Sequence, residues 1–282
     1  MSPRKTALVT GASSGIGEAT AIKLHTLGYT VYGAARSEAG LADAAAAGVI
    51  PLVMDVSDDA SMQAGFERII AETGRIDVLV NSAGYGSYGA IEDVSMTEAR
   101  HQAEVNVFGA MRLIQLALPF MREQRGGKIV NVTSMGGKFY SPLGGWYHAS
   151  KYALEALSDC LRLETKPFGI DVVIVEPGNI KTGGNVVTAA KLQEASGTGP
   201  YAAQAAAVLG AFTSEANARR ESSPSVIAEA VGKAVTARKP KTRYAAGFGA
   251  RPLITVRGII SDRAFDGLMK RAIGMPRTQA QA

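Results

Sequence analysis

Short runs of β-branched and apolar residues alternate with longer stretches of helical periodicity along most of the chain. Ala7-Leu8-Val9 reads as a first strand, followed by a glycine turn and a helix over about 15–27. Tyr29-Thr30-Val31-Tyr32 predicts a second strand with an alanine-rich helix behind it, and Ile50-Pro51-Leu52-Val53-Met54 a third, before a helix over about 60–72. Ile76-Asp77-Val78-Leu79-Val80 predicts strand four and a long helix over 97–124. Lys128-Ile129-Val130-Asn131-Val132 predicts strand five, a helix over 146–166 comes next, and Asp171-Val172-Val173-Ile174-Val175 predicts strand six. Near-continuous apolar strands are buried on both faces, and strands alternating with helices build a parallel sheet. The fold class expected is α/β, a Rossmann-type doubly wound parallel sheet.

After Pro177-Gly178 the pattern loosens. Residues 183–223 are rich in Gly, Ala, Ser and Thr and read as a substrate-side insertion or lid; 225–238 resumes helical periodicity, and Thr242-Arg243-Tyr244-Ala245 is a candidate last strand. Residues 250–282 form a C-terminal extension in which Ile260, Ala264, Leu268 and Ala272 recur every four residues, with Phe265, Met269 and Ile273 beside them. That spacing predicts a helix docked on the core, on a partner subunit or at a membrane surface. All 282 residues are read as one domain with these two additions.

Composition narrows the class without deciding it. The chain is 46% hydrophobic and 20% charged, as expected of a soluble protein with a sizeable core. One cysteine, Cys160, excludes an intramolecular disulfide, and a cytoplasmic setting is the default. No stretch has the length of a signal or membrane-spanning segment. A net charge of +5 permits polyanion binding, but the basic residues are dispersed, so no nucleic-acid partner is expected. His101 and His148 have no accompanying cluster of metal-ligand residues, and no metal is expected.

The chemistry begins at Thr10-Gly11-Ala12-Ser13-Ser14-Gly15-Ile16-Gly17, between the first strand and its helix. Gly11 permits the tight turn, Gly15 lets backbone amides approach a pyrophosphate, and Gly17 allows close helix–sheet packing. The spacing differs from the G-x-G-x-x-G fingerprint, and no Lys-[Ser/Thr] follows to make a P-loop. The same residues also spell G-x-S-x-G with Ser13 as nucleophile, but a hydrolase elbow lies deeper in the sheet, and only His25, His101 and His148 are available as base.

Four later elements make the turn specific: Asn81-Ser82-Ala83-Gly84 after strand four, Asn106 in the next helix, Ser134 after strand five, and Tyr147-x-x-x-Lys151. With Pro177-Gly178 after strand six, their order over about 5–182 resembles the short-chain dehydrogenase/reductase family, in particular its hydroxysteroid- and retinol-dehydrogenase-like branch. Tyr147 and Lys151, four apart, share a helix face, where an ammonium favours the phenolate of a tyrosine. Tyr147 then exchanges a proton with the substrate oxygen, and the Ser134 hydroxyl stabilises that oxygen. The resemblance implies that Asn106 holds a water linking Lys151 to solvent and that Lys151 binds the nicotinamide ribose.

Gly33-Ala34-Ala35-Arg36-Ser37 ends strand two without the acidic residue that binds an NAD ribose; Arg36 instead suits a 2′-phosphate, so NADP is expected over NAD. Ser13 and Ser37 can add hydrogen bonds. By resemblance Asp55 and Val56 meet the adenine, Asn81, Ala83 and Gly84 flank its ribose, and Ile180 and Thr182 touch the carboxamide. Ser82 replaces a more usual asparagine. Met135, Gly136, Phe139, Tyr140, Pro142, Leu143 and Trp146 are expected to wall the substrate side, which favours a lipophilic ketone, aldehyde or alcohol. The resemblance also implies a homodimer or homotetramer. Two alternatives are a 3-oxoacyl carrier-protein reductase and a non-catalytic dinucleotide-sensing protein.

Overall fold

The structure, a computed structural model, describes residues 4–276. Seven parallel strands form one sheet in the order β3-β2-β1-β4-β5-β6-β7. They are β1 (Thr6–Thr10), β2 (Thr30–Ala35), β3 (Ile50–Val53), β4 (Val78–Asn81), β5 (Gly127–Val132), β6 (Ile170–Pro177) and β7 (Arg243–Ala246). The helices are α1 (Gly15–Thr26), α2 (Ala42–Ala46), α3 (Asp59–Thr73), α4 (Met96–Ala103), α5 (Gly109–Glu123), α6 (Gly145–Thr165), α7 (Gly184–Ser196), α8 (Ala202–Thr213), α9 (Glu215–Ala218), α10 (Ser225–Thr236), α11 (Ala250–Arg257) and α12 (Asp262–Ile273).

Alternate residues of each strand serve opposite faces. Ala7, Val9, Val80 and Val130 pack with Leu24 of α1 and Ile227 and Val231 of α10. Leu8, Leu79 and Ile129 pack with Phe66 of α3 and Leu113 and Met121 of α5. Both faces are apolar because both are covered, so the strand pattern is a run rather than an alternation. The chain winds outward from β1 in one direction and restarts at β4 in the other. The carboxyl ends of β1 and β4 therefore frame a crevice, the usual ligand position in such sheets.

Local signals set the boundaries. Asp58 accepts the Ser61 amide at 3.2 Å to start α3, and left-handed Gly74 ends it. Ser95 caps α4 by accepting the Glu98 amide at 3.2 Å.

Four expectations need correction. β2 continues through Gly33-Ala34-Ala35, and the alanine-rich helix behind it is only five residues long. The single long helix over 97–124 is α4 and α5 joined by a π turn at Glu104–Phe108, which contains Asn106. The loosened segment 183–223 is largely helical, with α7, α8 and α9 inside it. Its alanines have high helix propensity, and Leu192, Ala205 and Val208 are buried. In α12 the inward row is Phe265, Met269 and Ile273, whereas Ala264, Leu268 and Ala272 are exposed. The bulkier row docks because it removes more apolar area from water.

Candidate active site

The glycine turn is shaped by lack of space. Gly11 (φ 69°) and Gly15 (φ 58°) occupy the left-handed region, and a Cβ on Gly17 would collide with the Gly11 carbonyl. Ser13 and Ser14 are exposed at the start of α1, and the Ser14 hydroxyl makes no capping bond to that helix. Thr10 fastens the turn to the next crossover: its Oγ1 accepts the amides of Ser82 and Ala83, both at 3.0 Å. A Cβ on Gly15 would come 3.0 Å from Thr182, so the turn faces the segment after β6 across a narrow gap.

A cleft of roughly 410 Å³ runs from Ile16 of this turn past Ser82, Gly84, Ser134, Tyr147 and Lys151 to Gly178, Ile180 and Thr182. Ser134 follows β5 and accepts the Gly136 amide at 3.0 Å, and its hydroxyl lies beside the Tyr147 phenol, close enough to lower its titration. Burial raises the phenol above its ordinary value, and the Ser134 hydroxyl pulls in the opposite direction. Lys151 is buried and donates to the Val132 carbonyl at 3.2 Å. Burial lowers its ammonium to about 8, with Glu155 one turn further along α6 opposing that shift. Tyr147 is thus a neutral acid at neutral pH, while Lys151 remains mostly charged.

Asn106 is joined to this group by its backbone turn and by its amide. Its Nδ2 donates to the Tyr85 carbonyl at 2.9 Å and to Ser150 Oγ at 3.0 Å, and its Oδ1 accepts the Tyr85 amide at 3.0 Å. Both amide protons are engaged within the protein, which leaves the carbonyl oxygens of Asn106 as its acceptors for a water. A Cβ on Gly84 would lie 3.1 Å from Asn106 Oδ1 and 3.5 Å from Lys151 Nζ, which brings these three residues together.

The adenine end is more open. Arg36 is exposed at the end of β2. Burial pushes the Asp55 carboxyl upward, but the Ser57 hydroxyl and amide, with Arg36 and His101 beyond them, hold it below its ordinary value. The Asp55 carboxylate accepts Ser57 Oγ at 2.7 Å, and Val56 lies against Gly109 at the start of α5. Asn81 behaves differently: its side chain turns into the sheet and donates to Asn131 Oδ1 at 2.9 Å. Pro177 is buried, and the Gly178 amide donates to the Ala246 carbonyl at 2.8 Å.

Of the expected substrate wall, Met135, Gly136 and Phe139 line the cleft. Leu143 instead packs with Tyr88, Leu192 and Val208, and Tyr140 donates to Asp266 of α12 at 3.0 Å. Several wall residues were not assigned to the wall from the sequence: Tyr88, His148, Val208 and Phe212 of α8, Leu253 of α11, and Met269 and Ile273 of α12. Val208 and Phe212 lie four apart, a helical spacing visible within the alanine-rich stretch. α12 lies over the cleft, which chooses one of the three destinations open to it. Among the described residues no helix is long and apolar enough to cross a membrane, and no group of His, Cys, Asp and Glu is arranged to hold a metal.

The sequence profile of the short chain dehydrogenase family matches residues 5–193, the part containing the turn, Asn106, Ser134, Tyr147 and Lys151. The chain belongs to this family. This short-chain dehydrogenase is 43% identical over 176 residues to a 3-ketodihydrosphingosine reductase of Bacteroides thetaiotaomicron, covering 62% of this chain and 64% of that one. It thus spans less than two thirds of that relative's length. Among solved structures, a short-chain dehydrogenase of Streptomyces avermitilis superposes with a TM-score of 0.78 at 34% identity, over 96% of both chains. A metagenomic short-chain oxidoreductase in complex with NADP superposes with a TM-score of 0.68 at 27% identity, over 86% of this chain and 97% of that one.

Proposed function

We propose that the protein is an NADP(H)-dependent oxidoreductase that interconverts a lipophilic ketone or aldehyde with its alcohol, Tyr147 serving as acid and base. The observation that carries this reading is that Ser134, Tyr147 and Lys151 line one cleft that continues to the glycine turn.

The residues present fit a dinucleotide. Gly17 has no room for a Cβ beside the Gly11 carbonyl, and the exposed Ser13 and Ser14 lead into a helix, begun at Gly15, whose amides favour phosphate. The reading assigns the pyrophosphate to Gly11, Ser13, Ser14, Gly15, Ile16 and Gly17, and the 2′-phosphate to Arg36. Asp55 and Val56 meet the adenine; Ala83, Gly84 and the Asn81 backbone meet its ribose. Tyr147 and Lys151 bind the nicotinamide ribose, with Pro177, Gly178, Ile180 and Thr182 beside the carboxamide. Bound there, the cofactor supplies or accepts the hydride.

The protein's part is proton transfer and charge stabilisation. In reduction the neutral Tyr147 phenol gives its proton to the carbonyl oxygen as negative charge gathers there, and the Ser134 hydroxyl donates to the same oxygen. The Lys151 ammonium then stabilises the phenolate left behind, and a proton from solvent restores the phenol. In oxidation the phenolate removes the alcohol proton.

The apolar lining by Phe139, Val208, Phe212, Met269 and Ile273 supports a lipophilic substrate, as does a relative named for reducing a keto compound. Pairing into a homodimer or homotetramer accords with Phe108, Leu157 and Leu163, exposed around α5 and on α6. A cytoplasmic location completes the reading.

A panel of carbonyls and alcohols, followed by cofactor absorbance with NADPH and NADH in parallel, tests it. Tyr147→Phe is expected to lose turnover by roughly 10²–10⁴-fold while binding NADPH normally. Wild-type turnover in that variant would refute the assigned role. Cofactor binding without turnover of any compound would favour a sensor.

A further inference from the structure

We propose that His148 is a positioning residue, the clamp that holds the loop over 135–143 in register with the Ser134–Tyr147 pair; the inference rests on the function proposed above. The side chain of His148 is buried, although the residue follows Tyr147 directly in α6. Its Nδ1 lies 2.8 Å from the Gly136 carbonyl oxygen, and its Nε2 lies 3.0 Å from the Ser141 amide nitrogen. An amide can only donate, so Nε2 is the acceptor and the single ring proton is on Nδ1, where it donates to Gly136. Burial lowers the imidazole below its ordinary value against the pull of the Gly136 and Phe139 carbonyls, which favours this neutral form.

These bonds connect the residues that carry the reacting hydroxyls. The Tyr147 phenol lies beside Ser134, whose Oγ accepts the Gly136 amide at 3.0 Å. The Gly136 carbonyl accepts from His148, the chain neighbour of Tyr147. Ser134 is therefore tied to the Tyr147 backbone through Gly136 and His148. The second bond, to Ser141, secures the far end of the same loop, so Phe139 is held in the cleft wall between two fixed points, with Met135 next to the first.

Steric evidence agrees. A Cβ on Gly136 would lie 3.0 Å from Nδ1, and one on Gly144 would lie 2.9 Å from both Cδ2 and Nε2. The imidazole thus occupies a slot between two glycines, with the Tyr88 and Phe139 rings 6.2 and 5.8 Å away. A residue that only filled space would not require two opposite hydrogen-bonding roles at its two nitrogens.

Three variants separate clamp from filler. His148→Asn keeps a donor near the Nδ1 position, His148→Gln keeps an acceptor near Nε2, and His148→Phe keeps only the bulk. Amide hydrogen exchange over 135–143 is measured without substrate, alongside NADPH affinity and steady-state kinetics on the carbonyl panel. For the Phe variant, exchange in this loop should rise about tenfold or more with NADPH affinity unchanged. Its kcat/KM should fall roughly ten- to a hundredfold, in KM as well as kcat. The Asn variant should recover kcat because it restores the Gly136 bond, and the Gln variant should recover it less. Unchanged exchange and kinetics in the Phe variant overturn the proposal. If that variant does not fold, indistinguishable Asn and Gln variants overturn it instead. If the wild type reduces no carbonyl, the functional reading fails, and the exchange measurement alone still decides the clamp.

Discussion

Single residues in this cleft work by being denied their preferred environment. Lys151 is buried and Tyr147 half-buried, and desolvation pushes each toward its neutral form: the phenol upward and the ammonium down to about 8. That leaves a protonated phenol beside a mostly protonated amine near neutrality, which suits delivery of a proton to a carbonyl oxygen. Arg36 is in the opposite circumstance, because it is exposed to solvent, where the proposed function assigns it to the 2′-phosphate. Arg36→Ala is expected to raise the KM for NADPH roughly ten- to a hundredfold, the value of a charge-assisted hydrogen bond. The KM for NADH should scarcely change. Equal effects on both cofactors, in initial-rate measurements, would show that Arg36 does not read the 2′-phosphate.

Among the elements, α12 has the most to do with what the cleft accepts. Phe265 is fully buried and roots the helix against Phe139 and Tyr140, at ring distances of 6.0 and 5.3 Å. Arg257 lies over both the Tyr140 and Phe265 rings, and Tyr140 bonds Asp266. Truncation by Phe265→Ala removes about 3–5 kcal/mol of packing at a site remote from the glycine turn. Proteolysis within 250–276 should accelerate, and the KM for an apolar carbonyl should rise, while NADPH affinity stays the same. An unaltered KM for the apolar compound would remove α12 from the substrate wall. The π turn at Glu104–Phe108 is another element with a visible purpose: it sets Asn106 facing Tyr85 and Ser150 in the middle of an otherwise α-helical run.

At the scale of the whole molecule, the sheet carries a buried charge cluster behind the site. Glu155 accepts Thr133 Oγ1 at 2.7 Å and pairs with Lys138 and Arg243, while Arg243 Nε is 3.5 Å from Glu176. Burial, then repulsion from Glu155, raises the Glu176 carboxyl to about 7. A carboxyl whose folded value exceeds its unfolded value favours the folded state at low pH. That contribution is intact below about pH 4.5 and is lost as pH rises to about 7, at most about 3 kcal/mol. Denaturant unfolding at pH 5 and pH 8 should therefore show a larger loss for the wild type than for Glu176→Gln. Equal losses would mean that Glu176 is already ionised, or equally placed, in both states.

The turn, Ser134, Tyr147 and Lys151 were legible from residue order because each depends on a local signal: glycine where no Cβ fits, a hydroxyl at a strand end, and two side chains one helical turn apart; Asn106 was named only through the family resemblance. Strand and helix order was legible for the same reason, since periodicity is local. The substrate wall was not, because Val208, Phe212, Met269 and Ile273 reach Tyr147 only through packing of α8 and α12 over the sheet. Asn81 was half legible: its place after β4 could be read, but its side chain turns toward Asn131, fifty residues away in the chain. The sequence by itself determined which chemistry the crevice contains. Tertiary packing alone decided which groups face that crevice, because contacts between distant segments depend on how whole faces dock and leave no mark at a fixed spacing.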